Sequence, residues 1–203
     1  MTIYRSSAED AWRDHIAAAA SQSGWLEDSA KISDEIGLSK RELFGLILLC
    51  HIRKHQFNKD DWHVGFDPDG TEPNDGFVSD GTATTFVEHK IVPQMAPQGV
   101  LNGILSTYGK YAKRGVAYGG DRTLIVFANK AARGMVKVSS LRDQIQDQCP
   151  FDQVLLMNCV AMNGNETAII HITSHYPKIN IAQIDFNIQT GIATVPHCEL
   201  AVV

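Results

Sequence analysis

The stretch KRELFGLILLCHIRKH, residues 40–55, constrains the fold of this chain more than any other. Ser39-Lys40-Arg41-Glu42 has the spacing of a capping box, in which the serine hydroxyl and the glutamate carboxylate satisfy the first free amides of a helix. The box predicts a helix running to about His55. Leu43, Phe44, Leu46, Ile47, Leu48 and Ile52 then lie on most sides of it rather than along one stripe. A helix without a polar face is stable only when covered, so the rest of the chain has to supply layers around it. With 203 residues, 44% of them hydrophobic, the chain is long enough to build that core as one domain.

The other elements follow from periodicity and punctuation. Ser6-Ser7-Ala8-Glu9 reads as another capping box, opening a helix through Ile16 and Ala17 to Ala20 that stops near Gly24. From Trp62 the character changes. Turn formers at Asp67-Pro68-Asp69-Gly70 and Pro73-Asn74 separate short β-like pieces, and Ser79-Asp80-Gly81-Thr82 is a strong hairpin signal. A helix is expected over about 100–114, followed by the glycine-rich segment 115–120. Strands are expected at Thr123–Ala128, Gln153–Val160, Thr167–Thr173 and Ile179–Ile188. The pattern predicts an α/β protein forming a single domain, 1–203, with a helical part (1–58) and a β-rich part (59–203).

Charge narrows the partners. The formal net charge of -5 argues against coating nucleic acid or an anionic membrane by bulk charge. Between Lys90 and Arg142, however, nine of the chain's 18 basic residues stand against one acid, Asp121. Lys110, Lys113 and Arg114 form the densest part of this basic region, on the expected helix, where they are candidates for phosphate contacts. Four scattered cysteines without a CxxC pair suit free thiols in a reducing compartment. No opening signal segment and no apolar run long enough for a bilayer is present, so the expectation is a cytoplasmic protein without a membrane partner.

The chemistry concentrates in PNDGFVSDGTATTFVEHK, residues 73–90. In a strand, Glu88 and Lys90 point one way while Val87, His89 and Ile91 point the other. If Asp80 and Gly81 are the two central turn residues, Ser79 pairs with Thr82, Phe77 with Thr84 and Asp75 with Phe86. Asp75 then shares a face with Glu88 and Lys90. Two carboxylates and an ammonium at one end of a hairpin can hold a hard divalent cation beside a phosphate.

Pro73-Asn74-Asp75, twelve residues, then Glu88-His89-Lys90 resembles the PD-(D/E)xK signature of restriction-endonuclease-like nucleases, and the element order over about 40–160 resembles their core. The resemblance implies a central mixed sheet flanked by helices, with N-terminal helices and extra C-terminal strands around it. It implies metal-dependent hydrolysis of phosphodiester bonds in nucleic acid, DNA foremost. Asp75 and Glu88 would hold Mg²⁺ or Mn²⁺, Glu42 from the preceding helix would be a further ligand, and Lys90 would be the catalytic lysine. A homodimer would suit a two-strand cut. Asn74 departs from the signature between its proline and aspartate.

Other readings compete. Glu42 already has a sufficient task in its own capping box. Glu88 and Lys90 could be an ion pair on a solvated sheet face, with Asp75 a turn residue. The fold could carry a non-catalytic module that binds nucleic acid or protein. The segment Ser33–Leu43 resembles a helix-turn-helix, as in a regulator with a β-rich ligand domain, but Phe44–Leu49 is too apolar to face a major groove. His51/His55 and His171/His175 have metal-pair spacing without the glutamate of a zinc hydrolase. Segment 115–120 lacks the lysine and hydroxyl of a phosphate-binding loop.

Overall fold

The computed structural model describes residues 4–20, 40–66, 75–92, 122–128, 151–164 and 166–200, with single positions at 102, 106, 143 and 149. Among these residues it is an α/β arrangement in which one mixed sheet carries nine strands in sequence order. These are β1 (Tyr4–Ser6), β2 (His63–Phe66), β3 (Gly76–Ser79), β4 (Thr84–Val92), β5 (Arg122–Ala128), β6 (Gln153–Asn163), β7 (Thr167–Tyr176), β8 (Asn180–Asn187) and β9 (Ala193–Cys198). The helices are α1 (Ala8–His15), α2 (Ala17–Ala20) and α3 (Lys40–Phe57). The sheet exceeds expectation at both ends. The short edge strand β1 and the last strand β9 have no distinct signal in the sequence, and β6 and β7 each run three residues further than predicted.

The sheet is mixed. β1 to β4 are antiparallel, β4, β5 and β6 are parallel, and β6 to β9 return to antiparallel. Parallel neighbours need a long crossover, and the two parallel steps coincide with the long connections 93–121 and 129–152.

α3 meets the burial expectation: every residue from Leu43 to Arg53 is buried. It runs to Phe57, two residues past the predicted end. With α1 it covers one sheet face, where Val87, Ile125, Leu155, Ile170, Ile184 and Phe186 join the core. Trp12 of α1 locks the two layers together. Its ring lies 5.7 Å from Phe44 and 4.6 Å from Phe186 between centroids, and its indole N–H donates to Ile188 O at 3.1 Å. Burying side chains of this size stabilises by roughly 1.5–3 kcal/mol each. Gly191, at φ 75°, is excluded from being anything larger, because a Cβ there would stand 2.6 Å from the Trp12 ring.

Two local expectations need correction. The first cap is Ser7, not Ser6, and its side chain accepts from Asp10 N. The expected helix also breaks at Ile16 into α1 and α2. The hairpin register moves by two residues: Ser79 pairs with Thr84 and Phe77 with Phe86. Asp80 is the reason. Its Oδ1 accepts from Thr82 N, Thr82 Oγ1 and Ala83 N at 2.9, 2.8 and 2.7 Å, which closes a four-residue loop over 80–83 rather than a two-residue turn. These bonds, that from Ala83 foremost, hold the Asp80 carboxyl well below the usual range. A shift of two preserves the face of every side chain. It brings Asp75 to the rung of Glu88 instead of Phe86.

The expected helix over 100–114, with Lys110, Lys113 and Arg114, and segments 24–39 and 115–120 lie outside the described residues, apart from positions 102 and 106. Among the described residues no helix is long and apolar enough to cross a membrane.

Candidate functional site

The β3–β4 hairpin sets the geometry of the candidate site. Asp75 precedes β3 in a bend, where its backbone N–H donates to Val87 O at 3.1 Å. Its carboxylate turns back on β4, and Oδ2 accepts the His89 backbone N–H at 2.7 Å. The first acid of the pattern is thus bonded to the middle of the Glu88-His89-Lys90 tripeptide.

Glu88 is 3% exposed, so the solvated ion pair that its sequence also allows is not how it sits. Its Oε1 lies 3.5 Å from Arg122 Nη1, at the start of β5. The parallel β4–β5 ladder makes this pairing, placing Arg122 beside Phe86 and Leu124 beside Glu88. The Arg122 guanidinium also lies over the Phe86 ring, 5.8 Å from its centroid. Lys90, two residues beyond Glu88, is half-buried beside Val126. Alternation puts Glu88 and Lys90 on the sheet face away from α3.

His89 takes the opposite face and packs on α3. Its side chain is 2% exposed and Nδ1 stands 3.5 Å from Asp75 Oδ2. Its ring lies nearly parallel to Phe127, at 9° and 6.2 Å between centroids. A Cβ on Gly45 of α3 would come within 2.7 Å of its Nε2. The sequence reading missed both Arg122 and His89. Arg122 carries no local signal, because its role depends on a parallel pairing across a long connection. His89 lies inside the pattern, but as its spacer.

Glu42 sits in the first turn of α3, on the His89 side of the sheet. Among the described residues, no three His, Cys, Asp or Glu side chains converge closely enough to hold an ion. The hairpin register, Gly76 beside Val87, puts Asp75 at the rung of Glu88.

The histidine pairs serve other ends. His51 is buried, with Nε2 3.1 Å from Gly191 O and Nδ1 4.0 Å from Glu9 Oε1, and burial pushes its pKa down. His171 is exposed, whereas His175 is 1% exposed at a register break in β7, and burial lowers its pKa to about 4. A separate cavity of about 300 Å³ beside α3 and β9 is lined by Glu9, His51, Lys54 and Asp60. Its Lys54 is already held by both Glu9 oxygens, at 3.0 and 3.1 Å. The four cysteines are free thiols, as expected, and burial pushes Cys50 up to about 12, out of range for a nucleophile.

No protein-family model matches this chain, and no curated protein or solved structure matches it either.

Proposed function

We propose that this chain is a metal-dependent nuclease-like protein that hydrolyses phosphodiester bonds of nucleic acid, DNA foremost, on a restriction-endonuclease-like core. The contact between Asp75 Oδ2 and the His89 amide at 2.7 Å carries the reading, because it ties the first acid of the pattern to the acid-x-lysine strand. Connectivity supports it. α3 is followed by the antiparallel strands β2, β3 and β4, then by β5 running parallel beside β4. The first acid stands at the start of β3 and the tripeptide lies on β4.

In this reading Asp75 and Glu88 hold Mg²⁺ or Mn²⁺ through hard oxygen donors. The metal, when bound, would supply charge neutralisation at the phosphate and would lower the pKa of water so that, after losing a proton, it can attack as hydroxide. Lys90 orients the attacking water and offsets the negative charge that builds on the phosphoryl oxygens. Arg122 helps to hold the Glu88 carboxylate in place. Lys110, Lys113 and Arg114 supply sequence-independent phosphate contacts. Two copies acting together would cut both strands of a duplex.

The Glu88–Arg122 pair also favours a second reading. A buried carboxylate already neutralised by a guanidinium needs no ion, as expected of a non-catalytic module that binds nucleic acid or protein. Incubation with plasmid and single-stranded DNA in Mg²⁺ or Mn²⁺ separates the two. The nuclease reading predicts nicking or degradation of at least one substrate, abolished by Lys90→Ala without loss of fold. Full activity in Lys90→Ala would end the assigned role, and inactivity on every substrate would favour the binding module.

A further inference from the structure

His89 is a buried imidazole in a slot that an apolar ring could fill. It is closed in by Gly45 on one side, stacks on Phe127, and has its side chain 2% exposed. Neither ring nitrogen has a hydrogen-bond partner among the described residues. Leaving buried polar atoms unpaired costs stability, so packing alone does not account for a histidine here. Orientation does. Nδ1 faces Asp75 Oδ2 at 3.5 Å, the same oxygen that accepts the residue's backbone N–H at 2.7 Å. Two donors of one residue, the amide and the Nδ1–H tautomer, thus converge on one carboxylate oxygen. The side-chain contact, at 3.5 Å, is longer than a good hydrogen bond.

We propose that His89 is a positioning residue for Asp75: packed against Gly45 and Phe127, it anchors Oδ2 and so sets the rotation of the carboxylate, directing Oδ1 to the Glu88 side of the hairpin. The contact stands on the geometry alone, while its use in metal binding rests on the nuclease reading. Gly45 and Phe127 hold the ring, and the ring holds the acid. Outer contacts of this kind typically change metal affinity by 10–100-fold when removed.

Two measurements test this. The first is Mn²⁺ affinity, followed by electron paramagnetic resonance of free Mn²⁺. His89→Phe keeps the stacked ring but loses Nδ1, and should bind at least about 10-fold more weakly than wild type. His89→Asn, whose amide nitrogen can reach the Nδ1 position, should recover affinity to within about threefold. His89→Leu replaces the phenylalanine variant if that fails to fold. Wild-type affinity in a folded His89→Phe or His89→Leu protein would overturn the proposal. The second measurement, in EDTA, is a double-mutant cycle on the unfolding equilibrium with Asp75→Asn and His89→Phe. Non-additivity of about threefold or more in the unfolding constant supports the contact, and additivity overturns it. Absence of Mn²⁺ binding by wild type would instead count against the nuclease reading, and the EDTA cycle would still decide the contact.

Discussion

Gly45→Ala is a substitution whose sign the structure determines. Gly45 lies inside the 18-residue helix α3, where glycine costs about 1 kcal/mol relative to alanine. On an exposed helix the change would stabilise by that amount. Here the added Cβ would meet His89 Nε2 at 2.7 Å, His89 Cδ2 at 3.1 Å and Phe127 Cζ at 3.1 Å. Neither ring can yield easily, because His89 is buried and stacked on Phe127, which is itself 8% exposed. Overpacking of this kind costs about 1–3 kcal/mol, so the net effect is a loss of about 1 kcal/mol. For a chain of this size that lowers Tm by about 2–4 °C. Removing the obstacle should reverse the sign: in a His89→Ala background, Gly45→Ala should raise Tm. Thermal melts of the four proteins by circular dichroism provide the check. A higher Tm for Gly45→Ala alone, or the same shift in both backgrounds, would refute the claim that α3 rests on His89 at this glycine.

Glu88→Gln should destabilise the metal-free protein by about 1.5–3 kcal/mol in denaturant melts, because it removes the charge from a 3% exposed carboxylate that lies 3.5 Å from the Arg122 guanidinium; an unchanged melt would show that this contact contributes nothing to stability. His175 gives a pH dependence. Its folded pKa, about 4, lies below the ordinary histidine value, so the unfolded chain binds more protons as pH falls through 6.5, and stability present above that value is lost progressively down to about pH 4. The loss attributable to this residue is about 2 kcal/mol at pH 5, and His175→Phe should flatten the stability profile by that amount. If Lys110, Lys113 and Arg114 touch phosphates, replacing all three by alanine should make the slope of log affinity against log salt shallower by about 0.9 per lost contact on duplex DNA, and an unchanged slope would assign them to a solvated surface.

How much of the site the sequence disclosed depends on the range of the interaction. The faces of Glu88, His89 and Lys90 were legible, because alternation in a strand is local. The rung of Asp75 was not, because the Asp80 carboxylate chose a four-residue loop over the two-residue turn that Asp-Gly suggests. The burial of Glu88 was not legible either. A charged residue every second position reads as a solvated face unless the neighbouring strand is known.

Features that repeat within a turn or a pleat are local. The buried helix from Lys40 to about His55 follows from apolar residues on most of its sides, the strands from β-rich runs between turn formers, and the hairpin at Asp80-Gly81 from a glycine that accepts φ 87°. Which distant residues meet depends on how the layers pack. Arg122 reaches Glu88 because β5 returns parallel to β4 after a long connection, and His89 is gripped by Gly45 and Phe127 because helix and sheet layers close on it from opposite ends of the sequence. Those contacts arise from packing whole elements against one another, and no short window of sequence contains both partners.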